Sequence, residues 1–291
     1  AVFPLRPHSG LSRVSANAPA FAALRSVYAE KQLFIFDMDG TLYLGEKVFD
    51  GARRFILSLR RAGKRVLFFT NNASHNHEFY NERLTRMGFE PRKEEIMTSG
   101  DVTCAFLTCH RAGKSVYLVG TEELCSQFRD AGIQLCTGEE RLADIVVTSF
   151  DTSLTYAKLE RACTYIYEGA EYLSTHPDFN CPTDTGIVPD SGAIAALVTA
   201  ATGRYPRYFG KPYAETAAMI SEKTGAALTD MCIFGDRLYT DIALGRRSGV
   251  LSVLVLSGET GAKEAEEATG CDKPDLVYAD LGEACSEAFG G

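Results

Sequence analysis

Short apolar runs alternate along the chain with longer segments in which apolar residues recur every three or four positions. Continuous apolar runs are typical of strands covered on both faces, as in parallel sheets. Residues 51–62 place four apolar side chains on one helical face and end before Gly63, which is typical of an amphipathic helix. The alternation predicts an α/β fold, a doubly wound parallel sheet with right-handed crossovers. The predicted strand runs, in chain order, are LFIF, VLFF, VYLV, DIVVTSF, YF, CIF, LSVLVL and LVY. Further helical patterns cover residues 77–87, 122–131, 155–168, 191–202, 213–224 and 239–247.

Composition and charge narrow the class of protein. The chain has 291 residues, of which 45% are hydrophobic, enough for a large core and an inserted unit. Its 38 acidic and 30 basic residues give a net charge of -8, which argues against nucleic acid and anionic membranes as partners. A small anionic substrate is not excluded, because a local basic cluster can oppose the overall sign. No apolar run approaches the ~20 residues of a membrane span.

The cysteines and the N-terminal segment provide information on the cellular compartment of the protein. Nine cysteines are scattered without paired short spacings, so we expect neither a disulfide framework nor a zinc site, and we expect a cytoplasmic protein. Residues 1–29 contain three arginines and no acid, which loosely resembles a transit peptide. The favoured interpretation is an N-terminal extension, residues 1–30, that packs on the domain or frays.

Two acids stand one residue apart where the first apolar run ends. Asp37 and Asp39 start on the same side of the strand, and Gly40 then permits a sharp turn. Two ionised carboxylates this close repel each other unless a cation lies between them. Mg²⁺ suits oxygen ligands and also bridges phosphate oxygens. The simpler alternative is an ordinary Asp-Gly turn with two solvated acids.

Polar residues also follow other predicted strands. Thr70 and Asn71 offer hydroxyl and N–H groups to an oxyanion, Lys211 offers a cation, and Asp236 and Asp241 offer two more acids. Each of the three motifs has an ordinary alternative. The Thr-Asn motif is also typical of an Asn-rich turn, the lysine of a plain surface position, and the second acid pair of a helix N-terminus. Their order and their placement at strand ends together predict a site for phosphoryl transfer.

With these motifs, residues 32–283 resemble the haloacid dehalogenase (HAD) superfamily of phosphatases. The chain looks most like the NagD-like, p-nitrophenylphosphatase-like branch, subfamily IIA. Further matching stretches are GDVTCAFL, HPDFNCPTDTGIVPDSGAIAALVTAATGR and VLVLSGET. The resemblance implies a Rossmann-like HAD core with an inserted α/β cap domain of the C2 type.

The spacing of the motifs places the insertion. Asp37 and Thr70 are 33 positions apart, room for one helix, whereas Thr70 and Lys211 are 141 positions apart. The second interval is far longer than one crossover needs. We therefore predict a catalytic core at residues 31–110 and 206–291 and a cap at residues 111–205.

The resemblance implies a role for each motif residue. Asp37 would attack phosphorus and form an aspartyl-phosphate, and Asp39 would protonate the leaving oxygen and later deprotonate the attacking water. Thr70 and the Asn71 backbone would bind the transferring oxygens. Lys211 would balance the charge of the nucleophile and the phosphoryl group.

The implied cofactor is Mg²⁺. Asp236 would bind it together with Asp37 and the backbone carbonyl of Asp39. Asp241 would be a further ligand or an acid that supports the ligands.

Two groups of residues have open roles. In the loop THPDFNCPTDTG, His176, Asp178 and Asn180 are candidates for substrate contact from the cap. The equally weighted alternative is an extended turn, a helix cap and a loop amide. His75 and His77 are expected at the start of a helix near the pocket rim, rather than as metal ligands.

The expected substrate is a small phosphorylated metabolite. Sugar phosphates are favoured by the resemblance, with nucleotide, pyridoxal and glycolate phosphates behind them. A phospho-receiver module is the main alternative of another class, although it is shorter, has no inserted cap and needs no acid like Asp39. A mutase or phosphotransferase on the same scaffold is disfavoured, because mutases of the superfamily usually carry their cap between the first two motifs and this chain has no room there. A non-catalytic binding protein is disfavoured because no motif residue is missing. The resemblance also implies a homodimer through the cap.

Overall fold

The computed structural model describes residues 26–183 and 186–290. Most of the predicted N-terminal extension, and with it the transit-peptide alternative, lies outside the described residues. The strands are β1 (Leu33–Phe36), β2 (Tyr43–Leu44), β3 (Lys47–Val48), β4 (Arg65–Thr70), β5 (Ile96–Thr98), β6 (Ser115–Val119), β7 (Gln134–Leu135), β8 (Ile145–Thr148), β9 (Glu171–Ser174), β10 (Asn180–Thr183), β11 (Gly186–Pro189), β12 (Arg207–Tyr208), β13 (Met231–Gly235), β14 (Leu251–Val255) and β15 (Leu276–Tyr278). The helices are α1 (Ser26–Ala29), α2 (Ala52–Arg61), α3 (His77–Arg86), α4 (Ser99–His110), α5 (Glu122–Asp130), α6 (Tyr156–Tyr167), α7 (Ser191–Thr202), α8 (Ala214–Thr224), α9 (Ala243–Ser248), α10 (Ala262–Glu267) and α11 (Leu281–Phe289), with a π-helical turn at Leu238–Ile242.

The larger sheet is parallel, with the strand order β15-β14-β13-β1-β4-β5. Strand β1 lies near its middle and pairs with β13 on one side and β4 on the other. All four residues of β1 are buried, as expected of a strand covered on both faces. Because the three strands are parallel, their carboxyl ends meet at one edge of the sheet. The doubly wound α/β architecture predicted from the apolar pattern is confirmed.

A second parallel sheet has the order β12-β9-β8-β6-β7. Strands β6, β8 and β9 pair in register over four residues each, and α6 and α7 pack on this unit. Strand β12 joins its edge through pairing of Arg207–Tyr208 with β9. The predicted cap ends at residue 205 and would assign β12 to the catalytic core, whereas its backbone pairing places β12 in the second sheet.

An aromatic cluster supports the central strands below the edge where the acids emerge. Phe36 of β1 stacks on Phe234 of β13 with ring centroids 4.9 Å apart, and Phe55 of α2 meets both rings edge-on. All three are fully buried, and each contributes roughly 2–3 kcal/mol of hydrophobic stabilisation. The strand ends that carry the acids are therefore held on a rigid base.

Within the described residues, no helix has both the length and the apolar character needed to cross a membrane.

Candidate active site

The acid pair emerges directly from the end of β1. The Asp37 backbone N–H donates to the Phe234 carbonyl at 2.9 Å, which extends the sheet pairing to the acid itself. Gly40 then turns the chain with φ of +84°, and a Cβ at this position would lie 2.3 Å from Asp236 Oδ2. Only glycine suits both the left-handed backbone and this close approach. The turn brings the acids of two separate strands together.

Lys211 is the cation at the centre of the site. Its ammonium forms an ion pair with Asp37 Oδ1 and lies 2.6 Å from Asp241 Oδ1. All three side chains are buried. Burial opposes the charged lysine, but the carboxylates of Asp241 and Asp37 outweigh it and raise the pKa of Lys211. Burial is also the main reason that the pKa of Asp37 is raised, with Lys211 acting in the opposite direction.

Three carboxylates converge beside this lysine. Asp37, Asp236 and Asp241 each offer an oxygen within 4.8 Å of the others. Asp236 Oδ2 accepts from the Glu259 N–H at 2.7 Å, whereas the buried Oδ1 has no hydrogen-bond partner among the described residues. Burial, and next the Asp241 carboxylate, raise the pKa of Asp236 to about 7. Crowded hard oxygen donors with an unpaired buried oxygen fit a divalent cation such as Mg²⁺.

Asp39 lies in a different environment from the carboxylate cluster. Burial raises the pKa of its carboxyl group, while Arg83, Arg237 and Lys211 act in the opposite direction. A carboxyl that stays protonated to higher pH than usual is suited to donating a proton.

The side chain of Asn71 joins the second motif to the lysine motif. Its Oδ1 accepts from the Lys211 N–H at 2.8 Å, and its Nδ2 donates to the Lys211 carbonyl at 3.0 Å. Nδ2 also lies 3.2 Å from Asp178 Oδ2, a cap residue. Thr70, at the end of β4, accepts from the Asn72 N–H at 3.1 Å. The side-chain amide of Asn71 therefore positions Lys211. The backbone N–H of Asn71 is then the group of this residue that can face a phosphoryl oxygen.

A cavity of about 40 Å³ lies between the core and the second unit. A water-sized group needs about 10–15 Å³ of such volume, so the cavity has room for about three of them. The core lines it with Asp37, Asp39, Thr70, Asn71, Asn72, Lys211, Arg237, Thr240 and Asp241, and the second unit with Asp178, Cys181, Pro182 and Asp190. The residues predicted from the strand ends thus surround one small polar space, with Asp236 adjoining it through the carboxylate cluster.

Of the three candidate cap residues, only Asp178 lines this cavity. His176 is fully buried and turned inward: its Nε2 lies 2.8 Å from Asp190 Oδ1 and its Nδ1 lies 2.9 Å from Thr175 Oγ1. Asn180 begins β10 and lies outside the lining. His176 and Asn180, two of the three candidates for substrate contact, therefore do not line this cavity.

The two earlier histidines also lie outside the cavity lining. His77 begins α3, as predicted, and pairs with Asp101 at 2.7 Å, while His75 stacks on Phe79 with ring centroids 3.7 Å apart.

Sequence reasoning missed Arg237 and Asp190. Arg237 Nη1 lies 3.5 Å from Asp178 Oδ2, and its Nε lies 2.9 Å from Glu259 Oε2. Burial opposes its charge, but Asp178 and the other nearby acids outweigh it and raise its pKa. Arg237 could have been predicted, because it is a basic residue that directly follows Asp236 in GDRLYTD. The sequence around Asp190 indicates only the N-cap of α7.

Comparisons with known proteins agree with this geometry. Residues 34–134 match the family described as haloacid dehalogenase-like hydrolase, and residues 208–284 match the family described as HAD-hydrolase-like. An acid sugar phosphatase of Staphylococcus aureus is 32% identical over 255 residues, which cover 87% of this chain and 96% of the relative.

Solved structures show the same relationship. A 4-nitrophenylphosphatase from Thermotoga maritima superposes with a TM-score of 0.83 and 40% identity, covering 88% of this chain and 97% of that one. A glycerol phosphate phosphatase from Mycobacterium tuberculosis, solved in complex with magnesium, superposes with a TM-score of 0.83 and 30% identity, covering 89% and 77%. The chain therefore belongs to the haloacid dehalogenase-like hydrolases, in their NagD-like branch, and is a phosphatase that acts on small phosphate monoesters.

Proposed function

We propose that the protein is a Mg²⁺-dependent phosphatase that hydrolyses a small sugar or polyol phosphate through an aspartyl-phosphate on Asp37. The observation that carries this proposal is the buried Asp37–Lys211 ion pair at a cavity lined by Asp39 and Thr70. A nucleophile, an acid and a compensating cation in one space are what phosphoryl transfer requires.

In the first step, a carboxylate oxygen of Asp37 forms a bond to phosphorus as the bond from phosphorus to the ester oxygen breaks. Asp39 gives its proton to the departing oxygen, so that the leaving group departs as a neutral alcohol. In the second step, a water oxygen attacks the same phosphorus and the bond to Asp37 breaks. Asp39 takes the proton of that water, and inorganic phosphate leaves with both aspartates restored.

The other residues hold the phosphoryl group in line. The Thr70 hydroxyl and the Asn71 N–H are positioned to donate to phosphoryl oxygens. Lys211, itself held through its backbone by the Asn71 amide, offsets negative charge on Asp37 and on the phosphoryl group. Positioning and charge compensation supply most of the acceleration in such transfers.

Asp37, Asp236, Asp241 and the backbone carbonyl of Asp39 would hold the Mg²⁺ ion. When bound, the ion supplies positive charge to the carboxylates and to the phosphoryl oxygens.

The substrate class follows from the size and polarity of the cavity. A space of about 40 Å³ whose lining residues are mostly polar favours a compact hydrophilic leaving group. Two similar proteins are an acid sugar phosphatase and a glycerol phosphate phosphatase, which supports the same substrate class.

The nucleophile is tested with Asp37→Asn. The amide keeps the shape of the side chain but is too weak a nucleophile, so we expect kcat/KM for p-nitrophenyl phosphate to fall by about 10³-fold or more. Asp130→Asn makes the same change at an exposed position of α5 and should retain activity. Turnover by Asp37→Asn at the wild-type rate would rule out the aspartyl-phosphate.

The metal requirement is tested by chelation. EDTA should abolish phosphate release, and excess Mg²⁺ should restore it. Activity that is indifferent to EDTA would refute the metal requirement and leave the nucleophile assignment to its own test.

A further inference from the structure

The two oxygens of the Asp178 carboxylate have different surroundings. Oδ2 lies 3.2 Å from Asn71 Nδ2 and 3.5 Å from Arg237 Nη1, both on the catalytic core. Oδ1 is buried and has no hydrogen-bond partner among the described residues. The residue is 5% exposed and lines the cavity.

This unpaired oxygen is held in place rather than left mobile. Asn71 and Arg237 anchor the carboxylate, and the Gly192 N–H donates to the Asp178 carbonyl at 2.7 Å, which fixes the backbone. A buried acceptor without a donor costs about 1–3 kcal/mol, and a ligand that brings a donor recovers it. Asp178 therefore has the character of a preformed acceptor site.

A metal ion is a poor occupant for this site. His176, Asp178 and Asp190 each offer an atom within 4.8 Å of the others. However, His176 Nε2 pairs with Asp190 and its Nδ1 faces the Thr175 hydroxyl, so both ring nitrogens are engaged. Arg237 already brings a positive charge to the other oxygen of Asp178. The unpaired oxygen calls for a neutral hydrogen-bond donor instead.

We propose that Asp178 Oδ1 accepts a hydrogen bond from a hydroxyl on the carbon next to the ester carbon of the substrate. This inference rests on the proposed function. The cavity is small, and Asp178 contacts Asn71, whose backbone N–H is assigned to the phosphoryl group, so the donor must lie within a few bonds of phosphorus. A vicinal hydroxyl meets that requirement. The substrate class is then the phosphate monoesters of vicinal diols, which include polyol and sugar phosphates.

Two esters that differ by one hydroxyl test the inference: propane-1,2-diol 1-phosphate and propyl phosphate. A hydrogen bond from a hydroxyl to a carboxylate should make kcat/KM about 10- to 100-fold higher for the diol ester in the wild-type enzyme. Equal kcat/KM values for the two esters would overturn the inference and leave the proposed function intact. Release of phosphate from neither ester, with Mg²⁺ present, would overturn the proposed function.

Variants assign the preference to this carboxylate. In Asp178→Asn, the amide oxygen can accept from Asn71 and Arg237, and an NH₂ group replaces the unpaired acceptor Oδ1. Both esters should react more slowly because Asn71 then contacts a neutral acceptor instead of a carboxylate, but the ratio between them should fall to within about threefold of one. Asp178→Ala should give the same collapse of the ratio, while Asp130→Asn should keep the wild-type ratio. A ratio that survives both Asp178 substitutions would show that the residue acts only by joining the cap to the core.

Discussion

The stability of the metal-free protein tests whether ionising Asp236 beside Asp241 destabilises the folded state. Asp236 is 2% exposed, and its pKa is raised from 3.8 to about 7 by burial and by Asp241. At about 1.4 kcal/mol per pKa unit, ionising this group costs the folded state about 4 kcal/mol. Because the pKa is raised, the folded state is more stable by this amount when Asp236 is protonated. That stability is fully present below about pH 4 and is lost as the pH rises through about 7. Above that pH, the metal-free wild-type protein carries the full cost.

Asp236→Asn removes the charge and should stabilise the metal-free protein at pH 8. The carbonyl oxygen of the amide can still accept from the Glu259 N–H, while the new NH₂ group takes the place of the unpaired Oδ1. A buried, unpaired NH₂ costs about 1–3 kcal/mol, which leaves a net gain of about 1–3 kcal/mol. At about 2–4 °C per kcal/mol for a domain of this size, we expect the Tm to rise by roughly 2–12 °C.

The assay is thermal unfolding followed by circular dichroism, in EDTA at pH 8 and at pH 5 and then with Mg²⁺ at pH 8. At pH 5 the wild-type carboxyl is protonated, so the advantage of Asp236→Asn should disappear. Mg²⁺ at about 1,000 times its dissociation constant should stabilise the wild type by about 4.1 kcal/mol and the variant much less, so that their order reverses. A variant that melts below the wild type in EDTA at pH 8 would refute the electrostatic reasoning.

Two further substitutions test the packing around the site. Gly40→Ala should lower the free energy of unfolding, measured by urea titration, by at least about 1 kcal/mol more than Gly63→Ala. Both glycines have positive φ, but only Gly40 approaches Asp236. Equal losses of stability in the two variants would contradict the close approach. His176→Asn leaves the buried Asp190 carboxylate without its cation and should cost about 3–5 kcal/mol. The pKa of His176 is raised because Asp190 outweighs the opposing effect of burial. This stabilisation is therefore complete below about pH 6.5 and is lost as the pH rises through the higher folded value. The difference between His176→Asn and the wild type should accordingly be larger at pH 6 than at pH 9, and a difference independent of pH would contradict the ion pair.

Much of the architecture could be read from local patterns. Each predicted apolar run corresponds to a strand of one of the two parallel sheets. Most of these strands are buried along nearly their whole length, as expected of strands covered on both faces, whereas the edge strands β12 and β15 are partly exposed. The sequence patterns missed strands β2, β3, β5, β7, β9, β10 and β11 and helices α1, α4, α10 and α11. EYLS and NCPT are short and partly polar, and α4 begins SGD, so their local sequence carries little signal.

The cap side of the site shows where sequence reasoning stops. The pattern THPD offered His176 and Asp178 on equal terms, since both are polar residues of one loop. Packing distinguishes them: the imidazole of His176 is turned into the interior by Asp190, while Asp178 reaches Asn71 and Arg237. These partners come from distant parts of the chain, so no local pattern could assign the roles.

The sequence alone determined the parallel α/β architecture and the order of the polar residues that follow the strands, because strand burial and strand ends are local properties of the chain. Only the tertiary structure decided that Asp37, Lys211, Asp236 and Asp241 share one buried space, with an unpaired oxygen on Asp236. The physical reason is that electrostatic coupling depends on distance and burial. Those quantities are set by the pairing of strands that are far apart in the chain.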